Sequence, residues 1–241
     1  MQRIVFVPMG DVDGRIAREM APPGFELIEA PGISPALDAA LPGCDYLIGL
    51  GDPRMNDAFY ARAPKLKLVQ LLSAGYDRCD IQAARTARVP IANNGGANAV
   101  AVAEHAIMLM LATARRLVWQ HTSVASGIWR GNDWQNKHVF ELSEKTLGII
   151  GLGTIGKKVA RIARAFGMNI QYFDINRLTE DQEDTLGVRF RLLDEVLKTS
   201  DLVSLHVPLL AGTRHMISTR ELALMKPTAY LINTCRGPVI D

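Results

Sequence analysis

The chain has 241 residues, 48% of them hydrophobic, 22% charged and 6% aromatic, a balance that excludes a fibrous or disordered polymer, and its length allows two modest globular domains. Its 27 basic and 25 acidic residues leave a formal charge of +2 and lie scattered along the sequence, which gives no broad positive field to gather nucleic acid or an anionic membrane. Cys44, Cys79 and Cys235 form no CxxC pair, so neither a zinc site nor a disulfide framework is indicated, and the thiols read as reduced residues of a cytoplasmic protein.

The first apolar run, residues 4–8, is too short for a signal peptide or a membrane span, and its 4–7 portion reads as a β-strand. Further strand candidates follow at 25–28, 46–48, 68–72 and 89–92. The stretches between most of them suit crossover helices, the clearest at 36–41, 56–61 and 81–87, so residues 1–97 are expected to form a parallel sheet of flavodoxin-like arrangement. A long helix is expected over 99–120, with Asn98 as its N-cap and Glu104 in its second turn, leading into a second domain over 98–241. Beyond a loop-rich region containing Trp129 and Trp134 the alternation restarts, with strands at 146–150, 170–173, 188–190, 202–205 and 229–232. The fold class is α/β, two doubly wound parallel-sheet domains, the second of Rossmann type.

The strongest chemical motif is Gly151-Leu-Gly153-Thr-Ile-Gly156, placed between a strand pattern and a helical one. In that context Gly151 allows the tight turn, Gly153 lets backbone approach a pyrophosphate, and Gly156 brings the helix against the strand, while the helix N-terminus presents free N–H groups. Asp174 follows at the end of the next strand, 18 residues past Gly156, where a carboxylate can accept both ribose hydroxyls and repel a 2′-phosphate; this favours NAD over NADP, although Arg177 lies three residues on and a helix-capping role for Asp174 is the alternative. His206-Val207-Pro208 and Asn233-Thr234-Cys235-Arg236-Gly237 end two later strands. All four strand ends should fall on the ligand-binding edge of one parallel sheet.

These residues, with Ser73-Ala74-Gly75-Tyr76-Asp77, Asn98 to His105 and Leu224-Met-Lys-Pro227, make the chain similar throughout to the D-isomer-specific 2-hydroxyacid dehydrogenases. The resemblance implies an NAD-dependent enzyme that transfers a hydride between nicotinamide and C2 of a small 2-hydroxy or 2-oxo acid. It implies that Arg236 holds the substrate carboxylate and polarises the 2-oxo group, as a planar charged fork can, and that backbone at Ala74 and Gly75 also binds the carboxylate. Cofactor contacts are implied from Thr154 and Ile155 at the pyrophosphate, from His206, Val207 and Pro208 along the ribose, from Thr234 and Cys235 near the nicotinamide, and from Val102, whose alternative is plain core packing. A homodimer built on the cofactor domain, with residues 112–134 wrapping the partner, is implied as well, and no metal.

The family's catalytic histidine and its orienting glutamate lie after the arginine segment, so the sequence through Asp241 is expected to lack them, together with the last strands of the second domain and the return segment of the first. Taken as it stands, the chain is expected to bind NAD weakly or not at all and to be nearly inactive. His105 reads as a capping or core residue, His121, His138 and His215 as loop or helix-end residues, and His206 as a cofactor contact rather than a replacement acid. A second reading is a non-catalytic NAD(H)-binding regulator of the corepressor type, for which no peptide-binding groove is visible in the sequence.

Overall fold

In a computed structural model, which describes residues 1–129 and 138–241, the apolar runs picked out above become ten parallel strands in two five-stranded sheets. The chain divides into two units, Met1–Ala97 and Asn98–Asp241.

The first unit alternates β1 (Gln2–Phe6), α1 (Asp11–Met20), β2 (Phe25–Glu29), α2 (Pro35–Ala40), β3 (Tyr46–Gly49), α3 (Asp57–Ala61), β4 (Leu68–Leu71), α4 (Ile81–Thr86) and β5 (Ile91–Ala92). Its strand order is β2-β1-β3-β4-β5, the flavodoxin-like order. Helix starts are set by side chains that accept an otherwise orphaned N–H: Ser34 from Leu37, Asn56 from Phe59 and Asp80 from Ala83. Helix α1 is not among the clearest helix candidates of the sequence. Its apolar Val12, Ile16 and Met20 stand four residues apart on one face, yet all three are exposed and only Gly14 is buried; the Gly14 position fits because a Cβ there would lie 2.6 Å from a Glu29 carboxylate oxygen.

The second unit runs α5 (Ala99–Ala114), α6 (Leu117–Ala125), β6 (Thr146–Ile150), α7 (Thr154–Ala165), β7 (Asn169–Phe173), α8 (Glu180–Leu186), β8 (Val188–Phe190), α9 (Leu193–Thr199), β9 (Leu202–Leu205), α10 (Thr219–Leu224) and β10 (Tyr230–Asn233). Its order, β10-β9-β6-β7-β8, makes β6 the central strand and puts the reversal of direction between β6 and β9, where a doubly wound sheet opens a ligand crevice. One face of this sheet packs on α5 and α7 through Ala103, Met110, Leu147, Ile149, Val159 and Tyr172. The other packs on α9 through Ile150, Val196, Leu197, Val203 and Leu205. Gly148 of β6 allows that second layer to lie close, since a Cβ there would collide with Ser200 and Val196.

The long helix expected over 99–120 is instead two helices. Arg116 adopts the left-handed conformation (φ 51°, ψ 46°) and ends the first, and its guanidinium donates to the Tyr230 hydroxyl at 3.2 Å and lies 5.9 Å from that ring's centroid. A contact from a residue more than a hundred positions away thus turns the chain where local helix propensity would continue it. Asn98 stands at the N-cap position, but its side chain accepts no capping bond; its backbone carbonyl accepts from Val102 N. Trp134 lies outside the described residues. Among the described residues no helix is long and apolar enough to cross a membrane.

Candidate functional site

The end of β6 is fixed from both sides. Gly151 has φ +93°, and a Cβ there would lie 2.6 Å from the His206 carbonyl oxygen, so only glycine suits this turn. Gly151 N donates to the Phe173 carbonyl at 2.9 Å, and His206 N donates to the Ile150 carbonyl at 2.8 Å. Gly156, inside α7, faces back on the turn, and a Cβ would collide with the Gly151 carbonyl oxygen. Gly153 caps α7 and is exposed, with no atom within 4 Å of where a Cβ would stand. The helix thus offers its first N–H groups to an open space of the kind that takes a phosphate. Thr154 beside it is exposed, whereas the Ile155 side chain packs into the core under α7, which leaves Ile155 only its backbone to give a ligand.

Asp174 sits immediately beyond β7 and is half-buried. Its Oδ2 accepts from Leu152 N at 2.6 Å and its Oδ1 from Asn176 N at 2.8 Å. It caps no helix; it joins the glycine turn to its own loop and holds its carboxylate beside that turn.

On the other side of β6, His206 Nε2 lies 2.9 Å from Ser204 Oγ, and its Nδ1 has no hydrogen-bond partner among the described residues. Burial pushes its pKa down to about 4, because a charged imidazolium loses its hydration there. It is neutral at pH 7 and a poor proton donor. Val207 packs into the core on the α9 side, while Pro208 is exposed.

The loop after β10 is built around Asn233, whose Oδ1 accepts from Cys235 N at 3.0 Å and whose Nδ2 donates to the Arg236 carbonyl at 2.9 Å. Arg236 is exposed, and one guanidinium nitrogen donates to the Cys235 carbonyl at 2.9 Å. The Cys235 thiol donates to Asn233 Oδ1, and its pKa is raised by burial. Thr234 Oγ1 is buried without a hydrogen-bond partner among the described residues. This loop and one face of α5 line an open pocket of about 590 Å³ that includes Val102, His105, Thr234, Cys235 and Arg236. Val102 is therefore half-exposed to a pocket rather than plain core. The capping or core reading of His105 is corrected: it is exposed and lines the same pocket. The available signal was its spacing, one helical turn beyond Val102. In the sequence Asn233 stands out only as part of a motif, although an asparagine at a strand end commonly organises the turn that follows. His121 is also corrected, since it lies within α6 rather than in a loop.

In the first unit, the turn after β4 is held by Ser73 Oγ donating to the Gly75 carbonyl at 2.8 Å and by Asn93 Nδ2 donating to the Ala74 carbonyl at 2.7 Å. Asn94 N donates to the Ser73 carbonyl, so the Asn93-Asn94 pair braces this turn. Both Ala74 and Gly75 are half-buried, and the neighbouring Tyr76 is exposed, as is Leu50.

Asp174, Gly151, His206 and Arg236 follow the carboxyl ends of β7, β6, β9 and β10, four adjacent strands. At about 4.8 Å per strand the row spans roughly 14 Å. A carboxylate at one end, a helix N-terminus in the middle, and a pocket beside an arginine at the other define the class: a dinucleotide-binding Rossmann unit in a chain that also carries a flavodoxin-like unit. The family described as D-isomer specific 2-hydroxyacid dehydrogenase, NAD binding domain, matches residues 107–241. This chain belongs to that family, and its second unit is the family's NAD-binding domain.

It is 40% identical to the glyoxylate reductase of Pyrococcus furiosus over 201 residues, which are 82% of this chain and 60% of that protein. Among solved structures it is similar to D-lactate dehydrogenase from Aquifex aeolicus complexed with NAD and lactic acid, with TM-score 0.87, 29% identity, and coverage of 99% of this chain and 70% of the other. A glyoxylate reductase from Paecilomyes thermophila gives TM-score 0.81 at 30% identity, covering 100% and 75%. The chain spans about 60% of the length of the first curated relatives it matches.

Proposed function

We propose that this chain supplies the cofactor site and the substrate-binding arginine of an NAD-dependent oxidoreductase acting on a small D-2-hydroxy acid or its 2-oxo partner. The observation that carries this reading is the row of four adjacent strand ends, with Asp174 at one end and Arg236 at the other. Glyoxylate reductase and D-lactate dehydrogenase are the names of its relatives, which supports a short substrate.

NAD(H), when bound, supplies or accepts the hydride. Asp174 accepts the adenosine ribose hydroxyls, Gly153, Thr154 and Ile155 give backbone to the pyrophosphate at the start of α7, and Gly151 and Gly156 keep that backbone close. His206, Val207 and Pro208 flank the middle of the cofactor, and Thr234 and Cys235, with Val102, line the nicotinamide pocket; the unpartnered Thr234 hydroxyl fits a polar ligand there. Arg236 binds the substrate carboxylate and, as a fixed positive charge, stabilises negative charge developing on the 2-oxo oxygen. In the first unit, the backbone at Ala74 and Gly75 is the candidate for binding a substrate carboxylate. Proton delivery is assigned to none of the described residues, and His206 is unsuited to it because it stays neutral.

The same reading makes the protein a cytoplasmic homodimer. Support for an association surface comes from α6 and the residues after it, where Leu117, Val118, Val124, Ile128 and Trp129 are all exposed, Val118 by 79% and Trp129 by 77%; residues 130–134 of the expected wrapping segment lie outside the described residues.

The test is NADH consumption by the purified native gene product with glyoxylate, hydroxypyruvate, pyruvate and 2-oxoglutarate, repeated with Arg236→Ala. Loss of one preorganised charge of this kind lowers turnover by about 10²- to 10³-fold. Turnover unaffected by the substitution refutes the role of Arg236. Tight NADH binding with no turnover on any 2-oxo acid refutes the enzyme reading in favour of a cofactor-binding regulator.

A further inference from the structure

Arg177 lies three residues beyond Asp174, close enough in sequence for the two to pair, yet among the described residues its ion pair is with Glu183 of α8, Nε to Oε1 at 3.5 Å. Its guanidinium also lies 5.0 Å from the centroid of the Phe190 ring at the end of β8, within the range of a cation–π contact. Glu183 is nearly fully buried, and its Oε1 accepts from the Tyr172 hydroxyl at 3.0 Å. That hydroxyl in turn accepts from Leu178 N at 2.8 Å. The segment carrying Arg177 is therefore pinned on both sides, by Asn176 N on the Asp174 carboxylate and by Leu178 N on Tyr172. With the backbone fixed, the side-chain rotamer alone decides which carboxylate the guanidinium serves.

We propose that Glu183 is a positioning residue for cofactor selection: with the Phe190 ring it holds the Arg177 guanidinium on the α8 side, so that the cation able to pair with a ribose 2′-phosphate is withheld from a dinucleotide bound at Asp174. Selection against a phosphorylated dinucleotide then has two parts. Asp174 repels the 2′-phosphate, and Glu183 occupies the arginine that would welcome it, the type of residue that accepts this group in such sites. The Arg177 side chain is 65% exposed, so once released it can swing without unpacking the core. This inference rests on the NAD site proposed above.

The test measures dissociation constants of NADH and NADPH by fluorescence titration of the native gene product and reads their ratio. Replacing Asp174→Ser removes the repulsion and shifts the ratio toward NADPH by about tenfold, and adding Glu183→Gln shifts it by roughly a further fivefold or more, because an arginine freed for a 2′-phosphate forms charge-assisted bonds. Adding Arg177→Met to that pair abolishes the second shift. Glutamine at 183 still accepts from Tyr172; Phe190→Leu, which leaves Glu183 intact, provides an independent release and moves the ratio in the same direction. A ratio indifferent to Glu183→Gln and Phe190→Leu in the Asp174→Ser background overturns the proposal, as does a second shift that survives Arg177→Met, since a merely structural Glu183 would act without the arginine. If the unsubstituted protein binds neither dinucleotide, the NAD site itself is refuted and this inference falls with it.

Discussion

Two glycines of one turn, three residues apart, are predicted to fail in opposite ways when given a methyl group. At Gly156 the new Cβ meets the Gly151 carbonyl oxygen, which is backbone and cannot rotate aside. Overpacking of this kind runs to about 3 kcal/mol, and the alanine recovers about 1 kcal/mol of helix propensity, leaving a net loss of about 2 kcal/mol. At Gly153 the Cβ meets nothing within 4 Å and the residue is in extended backbone at φ −73°, ψ −156°, so Gly153→Ala costs about 0.5–1 kcal/mol as a poorer N-cap, and the smaller conformational freedom of alanine in the unfolded chain offsets most of it, leaving a few tenths of a kcal/mol. With about 2–4 °C per kcal/mol for a chain of this size, Gly156→Ala melts roughly 4–8 °C lower and Gly153→Ala within about 2 °C of the unsubstituted protein. Cofactor binding reverses the order of interest. The Gly153 methyl stands where a pyrophosphate must approach the start of α7, and losing one charge-assisted bond of about 1.5–3 kcal/mol weakens binding by about 10- to 100-fold. Thermal melting by circular dichroism and NADH fluorescence titration on the two variants decide the matter. Normal NADH affinity in Gly153→Ala, or an unchanged melting temperature in Gly156→Ala, would falsify the assignment of this turn as a close-packed phosphate cradle.

Stability should also respond to pH through His206. Its folded pKa of about 4 lies below its ordinary 6.5, so between those values the unfolded chain binds a proton that the folded chain does not; stability is full above pH 6.5 and falls as pH drops toward 4, by up to about 3 kcal/mol at about 1.36 kcal/mol per unit. Urea midpoints measured across that range should show this slope, and His206→Gln should flatten it; an equal slope in both proteins rules His206 out as its source. Asn233→Ala removes the acceptor for Cys235 N and the donor to the Arg236 carbonyl, so the loop loses its preset shape while Arg236 remains; KM for the 2-oxo acid should rise about tenfold, since misplacing a binding group by about an ångström carries penalties of that order or larger. Unchanged steady-state kinetics would show that the loop holds its shape without Asn233.

Much of this architecture is legible in the order of residues because its signals are local. The strands of both sheets are short β-rich runs at regular intervals, and Gly151, Gly153, Gly156 and Asp174 stand out through spacing alone. What escaped lies where tertiary contact overrides local preference. The break at Arg116 comes with its contact to Tyr230, and α1 leaves its apolar Val12, Ile16 and Met20 exposed and buries only Gly14. His105 beside Glu104 on a helix looks like a capping or core residue; its exposure to the pocket follows from the direction of its helix face, which sequence gives only after Val102 has been placed. Arg177 looks like a phosphate ligand from its proximity to Asp174, and its engagement by Glu183 and Phe190 is invisible until α8 and β8 are folded back beside β7.

The central position of β6 has a consequence for motion. It is paired on both edges and covered on both faces, with Leu147, Ile149 and Ile150 fully buried, so its amides should exchange with solvent only through the largest openings of the unit. The glycine turn grows directly from that strand, whereas the arginine loop grows from β10, most of whose residues are only half-buried. The glycine turn is thus anchored to the slowest-opening part of the unit and Arg236 to a faster one, so deuterium should enter the 233–237 loop long before it reaches residues 147–151.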